Sequence, residues 1–275
     1  MNTARIAIIQ LTSSNSISQN VDAVLQGVKQ ASSEGATFIF TPETTHLMEM
    51  DRSAVLAKAS YQADDAGLKA LQNAAKEYGV WLHIGSLIIK VAEGRLANRA
   101  FLINDRGEIT AQYDKVHLFD VDLEGGESYR ESALYDAGGT AVIAKSPLGI
   151  LGLSICYDLR FPYYYRQMAE AGAVILTVPA AFTQQTGEAH WHSLLTARAI
   201  ENGAFVIAAA QCGLHATGRR TYGHSLVISP WGDVLLDAGE NPGVHVVDID
   251  LTAIEKARKT VPSLSHSKDV PLKSF

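Results

Sequence analysis

Several strand-length stretches of this chain are apolar at nearly every position, not at every second one. Ile6-Ala7-Ile8-Ile9, Leu151-Gly152-Leu153 and Ala204-Phe205-Val206-Ile207-Ala208-Ala209-Ala210 are of this kind. Side chains alternate across a strand, so such a run is tolerated only where both faces of the sheet are covered. The covering layers are written between the runs. Residues 18–34 carry Val21, Val24, Leu25 and Val28 at helical spacing. Further helices are expected over 64–78, 162–171, 186–202 and 253–259. Strands are expected at 5–11, 37–41, 80–89, 100–103, 110–115, 174–178, 204–210 and 244–249. Hairpins are expected where 141–145 meets 150–155 and where 225–228 meets 234–236. Residues 121–139 and 211–224 read as loops. The pattern is α/β, a mixed sheet layered with helices. No repeat, linker or low-complexity stretch divides the 275 residues, so 1–275 is expected to be one domain, with 260–275 a polar tail.

Composition narrows the partners. Formal net charge is −6 and Lys and Arg are scattered, which gives no support for nucleic-acid binding. No apolar run approaches the roughly 18 residues that span a bilayer. The N-terminus reads as a first strand and not as a signal peptide. Cys156 and Cys212 are the two cysteines, too few for a disulfide framework. A cytoplasmic protein in a reducing compartment is expected.

Three polar residues stand just past predicted strands. Glu43 follows Phe38-Ile39-Phe40-Thr41-Pro42, Lys115 follows Ala111-Gln112-Tyr113-Asp114, and Cys156 follows Leu151–Ile155. In α/β sheets ligands gather beyond the carboxyl ends of strands. A cysteine, a glutamate and a lysine make a coherent hydrolytic set. The sulfur is the nucleophile, and an ordinary thiol with a pKa near ~8.5 needs help at neutral pH. A partly desolvated carboxylate accepts its proton and returns it to the leaving amine. An ammonium stabilises the oxyanion, with the backbone N–H of Tyr157 as a second donor. The set exists only if the three strand ends converge in space.

Thr41-Pro42-Glu43, the segment from Tyr113 to Asp120 (YDKVHLFD) and the segment from Ile155 to Pro162 (ICYDLRFP) occur in that order. They resemble the three signature blocks of the nitrilase superfamily of carbon–nitrogen hydrolases, and the similarity runs over nearly the whole chain. The resemblance implies a four-layer α-β-β-α sandwich of the nitrilase type that forms a homodimer through its helices. It implies Glu43 as general base and acid, Lys115 as transition-state stabiliser and Cys156 as the nucleophile of a thioester acyl-enzyme. A second glutamate near the lysine is usual in the family. Glu124, Glu127 and Glu131 are available, and the pattern Glu131-Ser132 favours Glu131, with Glu127 the alternative. Glu124 stands where the family often has proline. No cofactor and no metal are expected.

The C-terminal half resembles the Nit-type branch through Pro179-Ala180-Ala181-Phe182-Thr183, Ala189-His190-Trp191 and the segment from Ala197 to Asn202 (ARAIEN). The stretches 209–215 and 220–225 resemble in particular the branch members that hydrolyse deaminated glutathione to 2-oxoglutarate and cysteinylglycine, a metabolite-repair reaction. The alternative is an omega-amidase acting on 2-oxoglutaramate or another small-amide hydrolase. A non-catalytic scaffold is the rival of another class. For a substrate with a 2-oxo acid end, Arg160 is a bidentate partner for the carboxylate and Thr183 a hydrogen-bond donor. His215, Arg219, Arg220 and Tyr222 are placed to meet the other end. His190 and His192 fall on different faces of one helix and are not read as a metal pair. Gly223-His224-Ser225 lacks the second glycine of a serine elbow. Cys212 reads as packing.

Overall fold

The computed structural model describes residues 3–274 except 125 and 127. Among the described residues, one seven-stranded sheet runs in the order Gly243–Asp250, Thr3–Gln10, Phe38–Phe40, Trp81–Ala92, Arg95–Ile103 and Ile109–Asp114, with Ser60–Tyr61 pairing beside Trp81–Ala92. A six-stranded sheet runs in the order Val234–Asp237, Leu226–Ile228, Phe205–Ala208, Ile175–Thr177, Gly149–Leu153 and Val142–Ser146. The two sheets are built alike. Each has a parallel centre, joined through helical crossovers, and antiparallel flanks joined largely by hairpins.

Period-two alternation explains the apolar runs. Ile6 and Ile8 turn one way and join Phe38, Phe40, Leu151, Leu153, Ile175 and Phe205 in the main core. Ala7 and Ile9 turn the other way and meet Val24 and Val28 of helix Ile17–Ser33, and Leu68 and Leu71 of helix Ala66–Tyr78. On the second sheet Gly152 faces Met168 of helix Pro162–Glu170; a Cβ there would stand 3.0 Å from its sulfur. Helix Gln184–Asn202 contributes Trp191, Leu195 and Ala199 to the same core. Between the sheets, Thr177 Oγ1 lies 3.3 Å from His83 Nε2. Burial holds His83 neutral, pulling its pKa down to about 3. The architecture is therefore the four-layer α-β-β-α sandwich. Each fully buried Leu, Ile or Phe contributes roughly 1.5–3 kcal/mol to it.

Topology also fixes where the site lies. Phe38–Phe40 and Trp81–Ala92 are parallel, and two antiparallel steps bring Ile109–Asp114 back to the same direction. Glu43 and Lys115 thus leave one edge of the first sheet. Single parallel bridges Leu11–Gln211 and Ala180–Ala210 extend the pairing beyond the strands near that edge. The Cys212 N–H donates to Leu11 O at 2.8 Å, and the Cys156 N–H to Pro179 O at 2.9 Å. The first of these joins the carboxyl edges of the two sheets, and the second continues the pairing of Gly149–Leu153 with Ile175–Thr177 inside the second sheet.

Three features differ from the sequence reading. A short helix, Arg52–Lys58, stands before the expected one, its N-cap Asp51 accepting from the Ala54 N–H at 2.8 Å. Asp120–Asp122 pairs with Ser128–Arg130, and Cys212–Leu214 with Arg220–Tyr222, inside stretches read as loops. Strands of three residues with exposed positions carry too little alternation to register. No helix is long and apolar enough to cross a membrane among the described residues.

Candidate active site

Glu43, Lys115, Glu131 and Cys156 meet on the wall of one cavity of about 300 Å³. Glu43 leaves its strand through Thr41-Pro42 and is 4% exposed. Its Oε1 accepts from Lys115 Nζ at 2.8 Å and from Asn98 Nδ2 at 2.9 Å. Its Oε2 accepts from the Ala181 N–H at 2.8 Å. Lys115, 2% exposed, also donates to Glu131 Oε2 at 2.9 Å. Glu131 opens the turn Glu131–Ala133 and takes the Phe119 N–H at 2.7 Å and Asn98 Nδ2 at 3.1 Å. Lys115 and Asn98 therefore each bridge the same two carboxylates. The alternative, Glu127, lies outside the described residues.

Cys156 opens the turn Cys156–Arg160 with φ +49°, a left-handed backbone that non-glycine residues rarely adopt. Such strain costs of order 1–3 kcal/mol and persists only where surrounding bonds impose it. Asp158 is the clamp. It is fully buried, and its Oδ2 accepts from the Ile155 N–H at 2.8 Å and from Tyr113 OH at 2.7 Å. Its Oδ1 lies 3.1 Å from the His117 N–H and 2.7 Å from His117 Nδ1. One carboxylate thus fixes the cysteine turn to the 113–117 segment that carries Lys115.

The electrostatics assign resting protonation states. Burial pushes the Cys156 thiol well above the ordinary range, the Glu43 charge adds to this, and Lys115 opposes it without prevailing. Burial also works against the Glu43 carboxylate and the Lys115 ammonium, but their mutual attraction wins. Glu43 stays below the usual carboxylate range, and Lys115, with Glu131 as its largest support, stays well above the usual lysine range. At rest the site holds a thiol, a carboxylate and an ammonium. Glu43 is thus the charged carboxylate beside a neutral thiol. Lys115 is a fixed positive charge, unable to serve as a base.

Around this floor the cavity is lined by Tyr157, Arg160, Phe182, Thr183 and Arg219, among others. The Tyr157 ring packs edge-on against Phe119 and Phe161. The Arg160 guanidinium lies over the Phe182 ring at 5.5 Å and 3.4 Å from His190 Nδ1. Arg219 donates to Ala181 O at 2.5 Å and lies over the Tyr129 ring at 5.2 Å. Neither arginine forms an ion pair with a carboxylate among the described residues. Thr183 is the N-cap of helix Gln184–Asn202, its Oγ1 2.8 Å from Thr186 Oγ1. Of the four residues expected to meet the far end of a substrate, only Arg219 lines the cavity. His215 is buried between Ser13 O and Thr221 Oγ1, and Tyr222 stacks on His224. Arg220 lies on the exposed side of its strand.

Asn98 and Asp158 have no place in the sequence reading, though both carried a signal. Asn98 interrupts an apolar strand, where a buried amide needs partners. Asp158 sits two residues past Cys156, placed to cap its turn.

A family model for carbon–nitrogen hydrolases matches residues 5–259. The chain belongs to that family. It is 37% identical to the deaminated glutathione amidase of Yersinia enterocolitica, over 98% of this chain and 95% of that one. The crystal structure of the Caenorhabditis elegans NitFhit protein superposes with a TM-score of 0.91 at 34% identity, covering 98% of this chain and 66% of that longer one. A mutant of the amidase from Nesterenkonia sp. AN1, at 29% identity and a TM-score of 0.79 over 94% of this chain and 98% of its own, shows the result of Michael addition of acrylamide at its active site cysteine. As a carbon–nitrogen hydrolase, this protein is an enzyme acting on C–N bonds other than peptide bonds.

Proposed function

We propose that the enzyme hydrolyses deaminated glutathione to 2-oxoglutarate and cysteinylglycine, with Cys156, Glu43, Lys115 and Glu131 as its catalytic residues. The observation that carries the substrate is the pair of cavity arginines, Arg160 and Arg219, that have no carboxylate partner among the described residues. A part-buried guanidinium without a counter-ion favours an anionic ligand. Deaminated glutathione carries a carboxylate at each end, whereas 2-oxoglutaramate carries one.

The reaction follows from the resting states. As Cys156 Sγ attacks the amide carbonyl carbon, Glu43 takes the thiol proton. The carbonyl oxygen gains the negative charge, and Lys115 Nζ and the Tyr157 N–H stabilise it. Glu131 and Asn98 hold Lys115 and Glu43 in place. When the tetrahedral adduct collapses, the C–N bond breaks and Glu43 delivers the proton to the leaving nitrogen, which departs as the amine of cysteinylglycine. The 2-oxoglutaryl group remains as a thioester. Water then attacks it, Glu43 takes the water proton, and the expelled sulfur recovers a proton from Glu43. In this reading Arg160 holds the 2-oxo acid carboxylate, Thr183 lines the pocket as a polar contact, and Arg219 receives the glycine carboxylate.

The remaining expectations belong to the same proposal: one domain over 1–275 with 260–275 as a tail, in the cytoplasm, with no nucleic-acid or membrane partner. A homodimer would use the helix faces that expose Tyr163 and Ile200. The deciding measurement is kcat/KM for both substrates on the purified protein. A preference of about a hundredfold for deaminated glutathione, ~2.7 kcal/mol of transition-state binding, is expected. A preference for 2-oxoglutaramate would establish an omega-amidase instead.

A further inference from the structure

Three side chains far apart in sequence converge outside the cavity. His192 projects from helix Gln184–Asn202, His224 follows strand Arg220–Tyr222, and Asp237 ends strand Val234–Asp237. His192 Nε2 lies 3.1 Å from Asp237 Oδ2, and His224 Nδ1 lies 2.9 Å from Asp237 Oδ1. All three donor atoms lie within 4.8 Å of one another. Helical spacing sets His192 against His190, which faces elsewhere, so local sequence conceals the group.

The cluster is braced by its surroundings. The His224 N–H donates to Gly239 O at 2.7 Å, and Trp191 Nε1 donates to His224 O at 2.7 Å. The Tyr222 ring stacks on the His224 ring at 4.5 Å. The Gly239 N–H donates to Asp237 Oδ1 at 2.9 Å, fixing the carboxylate between the two imidazoles. His224 sits at φ +51°, so its side chain is held in this direction by a backbone that few residues adopt.

We infer that His192, His224 and Asp237 bind a divalent ion of the zinc class, which clamps helix Gln184–Asn202 to the connection that carries His224 and the strand that ends at Asp237. Two imidazole nitrogens and one carboxylate suit Zn²⁺, Ni²⁺ or Cu²⁺ and disfavour the all-oxygen preference of Mg²⁺ and Ca²⁺. Zinc–ligand bonds of about 2.0–2.2 Å are reached by drawing the three side chains together. Three protein ligands leave a fourth position for water. On binding, each imidazole presents a lone pair where it now directs an N–H at Asp237, so the ring proton moves to the other nitrogen. The site is independent of which amide the enzyme hydrolyses.

The test is calorimetric titration of Zn²⁺ into the full chain carrying Cys156→Ala, which keeps the metal off the active-site thiol. The absorption spectrum of added Co²⁺ gives a second readout. One equivalent is expected to bind, with Tm rising as Zn²⁺ is added. In the same background His192→Ala should weaken binding at least about tenfold and abolish the Tm rise. His224→Asn, which tolerates the left-handed backbone, should act alike, and His266→Ala in the tail should change nothing. Circular dichroism confirms that each variant is folded. The absence of stoichiometric binding, or Zn²⁺ binding that survives His192→Ala unchanged, would overturn the proposal.

Discussion

Lys115 and Arg219 are cations on the wall of the same cavity, yet they are held in opposite ways. Lys115 lies between two carboxylates at 2.8 and 2.9 Å and is almost inaccessible. Arg219 leans on a backbone carbonyl and an aromatic ring, with no acidic partner among the described residues. Arg160 leans on the His190 imidazole and the Phe182 ring, likewise with no acidic partner among the described residues. Lys115 is neutralised within the protein, whereas Arg160 and Arg219 have no acidic partner among the described residues. The floor residues come from sheet edges and are imposed by the fold. Arg219 comes from the short connection between strands Cys212–Leu214 and Arg220–Tyr222. In the proposed reaction, chemistry and specificity are carried by different parts of the chain, and each can be altered while the other is watched.

The largest effects belong to the floor. Cys156→Ala should lower kcat by at least about 10⁴-fold with the fold kept, measured by turnover beside circular dichroism. Wild-type hydrolysis by that variant would exclude the thioester route. Glu43→Gln should lower kcat by about 10²–10⁴-fold, yet iodoacetamide should still label Cys156. Labelling without turnover would separate the nucleophile from the proton carrier. The pH profile sharpens the same point. In the proposed reaction the working form of Glu43 is the carboxylate, and its pKa is held below the usual range. As pH falls, kcat/KM should therefore persist through about 4.3, the unperturbed glutamate value, and fail only below it. The stability contributed by the Glu43–Lys115 pair has the same sign, present above the unfolded pKa and lost as pH falls through the folded one. An acid limb centred near ~6 would point to a different base.

The rim should respond by a smaller factor and selectively. Arg219→Gln should lower kcat/KM for deaminated glutathione about 10–100-fold, the range expected for a lost charged hydrogen bond. It should spare 2-oxoglutaramate, which has no second carboxylate. Arg160→Gln should lower both substrates alike. Equal losses with Arg219→Gln would break the division between the two ends. The paired stability test runs the other way. Lys115→Met leaves two carboxylates facing each other without their cation, and should cost about 3–5 kcal/mol in urea unfolding. Arg219→Gln should change stability by less than about 1 kcal/mol.

The same division governs what was legible in the chain. Glu43 and Cys156 follow apolar runs and Lys115 a mixed one, and reading those runs as strands placed all three at strand ends. Their order and flanking residues marked the family. Strand direction, which brings the three ends together, is a property of pairing and appears only in the sheet register. Asn98 and Asp158 escaped notice because their work is to join segments far apart in sequence. The amide of Asn98 bridges Glu43 and Glu131, and Asp158 joins Tyr113, His117 and Ile155. The rim was the least legible. The 211–224 stretch offered four candidate residues, and its hairpin turns one of them, Arg219, into the cavity. Which side of a three-residue strand faces inward is decided by its partner strand and by the helix it packs on, neither of which lies within the stretch.

Thr183 tests the boundary between floor and rim with the smallest expected change. It lines the cavity, but its hydroxyl already caps helix Gln184–Asn202 and pairs with Thr186 Oγ1. Thr183→Ala removes the cap, and should cost about 1 kcal/mol of stability. If the hydroxyl serves only the helix, kcat/KM for both substrates should shift less than about threefold, below ~0.7 kcal/mol. Thr183→Ser keeps the hydroxyl and should restore the stability. A tenfold or greater loss of kcat/KM in Thr183→Ala, recovered in Thr183→Ser, would show the hydroxyl bonding to substrate through the same oxygen that caps the helix. The helix start would then belong to the substrate site, and the division would run through a single residue.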